Sequence, residues 1–462
     1  MTPIDVLPDE VLLAVFYFCV AHVRDQETKG AVEEWQSLVH VCRRWRALVF
    51  GSPRRLNLRL VCTPGTPARE CLDVWPPLQL QIHGITSSTS VLVVVDNIVV
   101  ALGHSDRVYR IDLMLPGHLQ WNKVLATMQV PFPALTDLLL QCKDETAPII
   151  PDTFLGGSAP RLRYLQLKCI PFPGVPKLLL SATHLVHLYL HGIPHSGYFS
   201  PDAMATCLSV LTSLGTLSLE FLSSRSCPER ESRRPPLTRF ILPDLTSFWF
   251  KGVSEYLDDL VARFDAPKLI KLFITFLYQI NFDTPHLVQL ISRSPVFNEP
   301  MEAQVDFDFD AADVQLISWT PDDYGELYVT ILCGQSDQQL SSVAQVCAKC
   351  LPPLLTVENL QIVTKNPYSG LDWNDDIEDD QWLELLRPFT AAKSIYLSEE
   401  FESGIASALQ DLVGGRTTEV IPSLQNISLT GLESIGPFQE AIGQFIAARQ
   451  LYEHPVTVTP LS

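Results

Sequence analysis

The feature that most constrains this chain is a recurring pattern, apolar-x-x-apolar-x-apolar, spread over most of its length. Clear copies are Leu135, Leu138, Leu140; Leu162, Leu165, Leu167; Leu185, Leu188, Leu190; Leu214, Leu217, Leu219; Leu245, Phe248, Phe250; and Leu269, Leu272, Ile274. After a less regular middle the pattern returns at Val357, Leu360, Ile362 and at Leu424, Ile427, Leu429, with weaker copies at Val108, Ile111, Leu113, at Leu327 with Val329, and at Ile395 with Leu397. The middle residues of the six clear copies are 27, 23, 29, 31 and 24 residues apart. A period of that size belongs to a stack of supersecondary units, each unable to bury its apolar face alone. Helix-like stretches at 202–211, 255–264 and 286–293 fall between the copies, so each unit reads as a strand, a turn and a helix. Right-handed crossovers between parallel strands then give an α/β solenoid with a curved parallel sheet on its inner side.

At 462 residues the chain has room for a small domain and a long array. It carries 33 Lys/Arg against 52 Asp/Glu, and the imbalance is local: residues 301–462 hold 6 against 25. Such a surface repels nucleic acid and anionic membrane and attracts basic partners. The eleven cysteines are odd in number and irregular in spacing, and several sit in apolar runs, which argues for free thiols in a reducing compartment. Cys347 and Cys350 form a CxxC, yet no second pair follows at zinc-ligand spacing, so both read as ordinary helix residues. The apolar stretch Val11 to Val20 follows Asp5, Asp9 and Glu10, where a signal peptide needs a basic flank, so the expected location is intracellular, cytoplasmic or nuclear. Walker, GxGxxG, HExxH and GxSxG motifs are absent. The Asp306, Asp308, Asp310 alternation lacks the glycine and glutamate of a calcium loop and reads as a strand with an acidic outer face. Neither catalysis nor a cofactor is expected.

The first sixty residues are different in kind. Pro8, Asp9 and Glu10 suit a helix start, and Val11, Leu12, Val15, Phe16 and Cys19 recur at helical spacing. A second stripe runs through Trp35, Leu38, Val39, Cys42, Trp45 and Val49 and ends at Gly51, Ser52 and Pro53. Two helices of this size need a partner or the rest of the chain to shield their apolar faces. Leu7-Pro-Asp-Glu-Val-Leu-Leu-Ala-Val-Phe16, followed by Val41-Cys-Arg-Arg-Trp45, resembles the F-box. Between the two halves the chain is about ten residues longer than in compact F-boxes, which leaves the angle between the helices open. The resemblance implies docking onto the Skp-type adaptor of a cullin-RING ubiquitin ligase through Leu7, Pro8, Leu12, Phe16, Val41, Cys42 and Trp45. The domains expected are an F-box module over 1–60 and, over 61–462, a solenoid that resembles the leucine-rich repeats of F-box proteins, narrowly those expanded in mushroom-forming fungi. A helical cap on the first repeat is the structural alternative for the module.

In such repeats an asparagine three residues beyond the last strand leucine bridges successive turns. Here that position holds Ile170, Ile193, Leu222, Val253, Leu277 and Leu432, so apolar packing is expected to replace the ladder. Strand alternation points Tyr164, His187, Tyr189, His191, Trp249, Lys251, Lys271, Phe273, Tyr328 and Tyr396 away from the apolar triplets, and these form the expected substrate surface. The resulting expectation is a substrate-recognition subunit of an SCF-type ligase, gripping a protein with a basic segment; the alternative is an interaction scaffold with a vestigial F-box.

Overall fold

A computed structural model describes residues 6–22, 34–56, 58–74, 77–85, 94–115, 117–143, 147–224, 239–279, 282–319, 324–351, 354–365, 377–413, 416, 418–429 and 437–460. The chain divides into two compact units, Met1–Leu185 and Val186–Ser462.

The first unit opens with three helices, α1 (Asp9–His22), α2 (Glu34–Val41) and α3 (Arg43–Gly51). The second sequence stripe is therefore two helices, not one. Cys42 is extended (φ −158°, ψ 170°), and its Sγ accepts from the Trp45 amide at 3.5 Å, capping α3. Five parallel strands follow in sequence order: β1 (Arg59–Cys62), β2 (Gln79–Ile85), β3 (Val108–Leu115), β4 (Asp137–Cys142) and β5 (Tyr164–Lys168). Helices α4 (Ala68–Val74), α5 (Val94–Leu102) and α6 (His118–Thr127) and a 3₁₀ turn at Phe154–Gly157 connect them, and α7 (Val175–Leu179) closes the unit. Along β3 and β4 buried and half-buried residues alternate, and the apolar triplet supplies the buried side.

The second unit repeats this arrangement with β6 (His187–Ile193), β7 (Thr216–Phe221), β8 (Phe240–Ile241), β9 (Ser247–Gly252), β10 (Phe264–Asp265), β11 (Lys271–Leu277), β12 (Glu302–Phe307), β13 (Ala311–Trp319), β14 (Tyr324–Leu332), β15 (Asn359–Thr364), β16 (Ser394–Leu397), β17 (Asn426–Leu429) and β18 (Thr457–Pro460). β8 and β10 pair with each other apart from the main sheet, whose order is β6-β7-β9-β11-β14-β13-β12-β15-β16-β17-β18. Its helices are α8 (Pro201–Leu208), α9 (Ser254–Val261), α10 (Pro285–Arg293), α11 (Ser336–Lys349), α12 (Asp379–Leu386), α13 (Glu399–Gln410) and α14 (Pro437–Leu451). Their starts are specified locally. Ser200 accepts from the Ala203 amide ahead of Pro201, and Glu378 with Gln381 forms a capping box.

The all-parallel expectation fails at one place. β13 runs antiparallel to both β12 and β14, so β14 rather than β12 lies beside β11. The reversal is a tight turn in which the Asp308 amide donates to the Ala311 carbonyl at 2.8 Å and the Phe309 amide to the Asp308 carboxylate at 2.7 Å. The expected acidic strand consequently stops at Phe307, and Asp306 is buried instead of forming an outer face.

The ladder position is only partly apolar packing. Ile170, Ile193 and Leu277 are buried, but Leu222 is exposed, and Leu432 lies outside the described residues. Polar links also join successive units: Thr136, Thr246 and Thr457 each donate a hydroxyl to a carbonyl one unit back, at Tyr109, Gly215 and Gln425, all at 3.1 Å. Buried Asp258 of α9 accepts from the His286 and Leu287 amides, capping the next helix from its neighbour.

Candidate functional site

Two surfaces hold the residues singled out from the sequence. In the N-terminal helices Phe16 packs against Trp45 with ring centroids 4.7 Å apart, and Trp35 against Phe50 at 6.2 Å. Arg44 reaches back to the start of α1, donating to the Leu7 carbonyl at 2.6 Å and pairing with Asp9 at 2.6 Å. This clamp fixes the Leu7-Pro8 segment against α3. Pro8, Val41 and Cys42 are exposed, while Leu7 and Trp45 are half-buried. Leu12 and Phe16, at 2% and 1% exposure, are correspondingly removed from the set of contact residues, because they form the inside of the module. Apolar side chains on the outside include their neighbours Val11 and Val15 (47% exposed), together with Tyr17 and Phe18 (72%). The sequence stripe contained both sets because it is wide: successive residues are about 100° apart around the helix, so Val11 and Val15 lie on one edge of the stripe and Leu12 and Phe16 on the other.

The second surface is the sheet face opposite the buried triplets. In the second unit Trp249 and Phe273 are stacked, centroids 3.8 Å apart and planes at 8°, and Phe273 meets Tyr328 at 6.1 Å. The strand register enforces this, since Trp249, Phe273 and Tyr328 are aligned partners on adjacent strands. A shallow pocket of about 310 Å³ lies over these rings, edged by Glu220, Lys251, Thr275 and Glu326. On the flank toward β6, His187 stacks on Tyr189 at 6.4 Å and Tyr189 meets His191 edge-on at 5.7 Å. His191 in turn bonds Ser218 at 2.9 Å. Ser218, in register with Tyr189 on the neighbouring strand, is buried. Lys271 is exposed opposite Glu326. Tyr396 is separated from Tyr328 by Gln315, Gln304 and Gln361 in register, so it does not join the aromatic row. Tyr164 belongs to the first unit, where its hydroxyl bonds Gln166 at 2.9 Å.

Beside Tyr328 is a charged cluster that the sequence did not reveal. Asp306 and Asp313 are directly opposed across β12 and β13, and both are buried. Lys365 pairs with Asp313 and donates to the Tyr328 hydroxyl at 2.8 Å. Burial works against the Lys365 ammonium, but bonding to Asp313 and Tyr328 outweighs it and raises its pKa. Burial raises the Asp306 pKa, with Gln304 bonding as the opposing influence. Lys365 lies 52 residues from Asp313 in the chain, and no spacing rule connects them.

Cys347 and Cys350 are buried, and burial pushes the Cys350 thiol up to about 11. Among the described residues no group of three His, Cys, Asp or Glu is arranged to hold a metal ion, and no helix is long and apolar enough to cross a membrane.

No family model matches the sequence, and no curated protein matches it. Among solved structures it is similar to the leucine-rich repeat-containing protein LegL7 from Legionella pneumophila, with 12% identity, 84% of this chain and 97% of that chain covered, and a TM-score of 0.28. That likeness is too distant to bear on fold or function; the repeating strand and helix units stand on the geometry above.

Proposed function

We propose that the chain is a substrate-recognition subunit of an SCF-type cullin-RING ubiquitin ligase. In this reading the N-terminal helices hold a Skp-type adaptor, and the aromatic sheet face of the second unit holds a protein substrate. The observation that carries it is the row of exposed apolar side chains Val11, Val15 and Phe18, spaced along one face of α1, whose start is held by the Arg44 clamp on Leu7. Apolar side chains grouped on one helical face mark a protein contact rather than a solvent surface. The adaptor contacts are Leu7, Pro8, Val41, Cys42 and Trp45 together with the outward valines. The substrate end offers rigid aromatic anchors edged by both signs of charge, Glu220 and Glu326 beside Lys251, and the acidic excess of residues 301–462 suits a partner that also bears a basic segment. The work of the chain is positioning, and its own side chains make and break no bonds.

The test is to express the tagged full chain with a Skp-type adaptor and a cullin and to compare it with the Leu7→Ala/Pro8→Ala variant. The parent is expected to co-purify with both proteins and the variant with neither, at equal yield and equal circular dichroism. Absence of the adaptor from the parent would leave the interaction-scaffold reading in its place.

A further inference from the structure

A second recess lies on the helix side of the second unit, remote in character from the aromatic sheet face. It is a groove of about 780 Å³ between α10, α11 and α12. Val288, Cys347, Leu351 and Leu354 contribute an apolar floor, three of them buried. Its volume falls within the range of about 300–1,000 Å³ typical of small-molecule sites. Lys349 and Arg387 stand at its rim.

The charge of that rim is unusual for its surroundings. Residues 301–462 contain six Lys/Arg against 25 Asp/Glu, and two of the six border this one groove. The other four are already satisfied. Lys365 pairs with Asp313, Lys393 with Glu358 at 2.6 Å, and Arg416 with Glu419 at 2.6 Å. Arg449 is buried, donating to the Pro422 and Leu424 carbonyls at 3.0 Å. Lys349 makes no ion pair among the described residues. Arg387 has only a 3.9 Å contact with Glu419, whose carboxylate is engaged more closely by Arg416. Glu384 also borders the groove but is exposed and pairs with neither cation among the described residues. Two cations against one acid leave the rim positive in the most acidic third of the chain.

An apolar trough closed by uncommitted cations matches a ligand with a hydrocarbon body and a single anionic end. We propose that this groove binds a free straight-chain carboxylate, its chain along Leu351 and Leu354 and its carboxylate between Lys349 and Arg387. The site is independent of adaptor docking and of the sheet face, so it stands or falls separately from the ligase reading.

Titration calorimetry of the full chain with hexanoate, octanoate, decanoate and dodecanoate tests it. Each methylene buried is worth about fourfold in affinity, so binding should tighten by about tenfold or more per two-carbon step. Dodecanol and dodecyltrimethylammonium should bind more weakly than dodecanoate. Lys349→Ala/Arg387→Ala should weaken dodecanoate by about tenfold, as expected for lost charge-assisted hydrogen bonds. Ala348→Trp, at an exposed lining position, should block the groove without altering charge, and circular dichroism should be unchanged in both variants. The proposal is overturned if dodecanoate shows no saturable binding, if the ammonium binds as tightly, or if neither variant weakens it. Sedimentation with phosphatidylglycerol vesicles in place of binding to monomeric dodecanoate would equally overturn it, since the groove would then serve a membrane surface.

Discussion

Trp249 lies flat against Phe273, its ring 3.8 Å away and 8° from parallel, and its indole N–H is held by Ser247 at 2.8 Å. A tryptophan locked this way while 40% exposed has lost its rotamer freedom before any partner arrives. Trp249→Ala should therefore change stability little but cost about 2 kcal/mol in substrate affinity, seen mainly as faster release. Quantitative comparison of proteins retained by parent and variant after a long wash checks this. Equal retention of every partner would make the row structural.

Phe16 and Val15 are adjacent in sequence and opposite in role. Phe16→Ala removes a buried ring that packs on Trp45 and should destabilise the N-terminal helices by about 3–5 kcal/mol. Val15→Asp places a charge on the outside and should leave the melting temperature nearly unchanged while abolishing adaptor capture. Thermal melts paired with adaptor pull-downs distinguish the two. If Val15→Asp still captures adaptor, the docking surface has been misplaced.

Two helical glycines should respond with opposite sign to alanine. At Gly443 of α14 nothing stands within 4 Å of an added Cβ, so Gly443→Ala should stabilise by about 0.5–1 kcal/mol through helix propensity. At Gly404 of α13 the Cβ would sit 2.6 Å from Nε1 of buried Trp382, and overpacking should destabilise by about 1–3 kcal/mol. Urea denaturation of both variants gives the signs directly.

Asp306 supplies the pH dependence. Burial raises its folded-state pKa above the unfolded value, so the folded chain holds the proton more tightly. Its contribution to stability is present below the unfolded pKa and is lost as pH rises through the folded value. Asp306→Asn keeps an acceptor for the Gln304 amide and removes the charge. The variant should exceed the parent in stability at pH 7, with the gap closing toward pH 4. A gap that widens toward acid would show that the ionised carboxylate is the stabilising form.

Lys365 is the counter-ion of the cluster. Lys365→Met leaves the Asp313 carboxylate buried without a cation, which should cost about 3 kcal/mol, the low end for such a loss because Lys365 is partly exposed. Lys365→Met/Asp313→Asn should recover part of that. A double variant as unstable as the sum of the single changes would mean that the two groups act separately.

Much of this fold is written in the sequence as local patterns. Leu138, Leu165, Leu188, Leu217, Phe248 and Leu272 are all buried on their strands, as the apolar triplets require. The helices predicted at 202–211, 255–264 and 286–293 are α8, α9 and α10 to within a few residues. Alternation carries no direction, however, so Ala312, Val314 and Leu316 mark a strand without marking it as reversed. The break at Cys42 escaped for a related reason, because helical periodicity continues across it and only the cap geometry reveals it. For the candidate surfaces, the Trp249, Phe273, Tyr328 row followed from strand register. The Asp306, Asp313, Lys365 cluster depends on pairing between distant strands, and the inside and outside of α1 on packing between helices.

The reversed strand β13 also bears on the order in which the second unit assembles. Every parallel pairing there must close a loop through an intervening connection, whereas β12, β13 and β14 follow one another within residues 302–332 and pair antiparallel with their neighbours in sequence. Chain closure is cheapest where contacts are local, which makes this meander the natural nucleus of the unit. From it the array can grow in two directions, through β11 toward β6 and through β15 toward β18. Instead of zipping from one end, the second unit thus carries its own starting point near its middle.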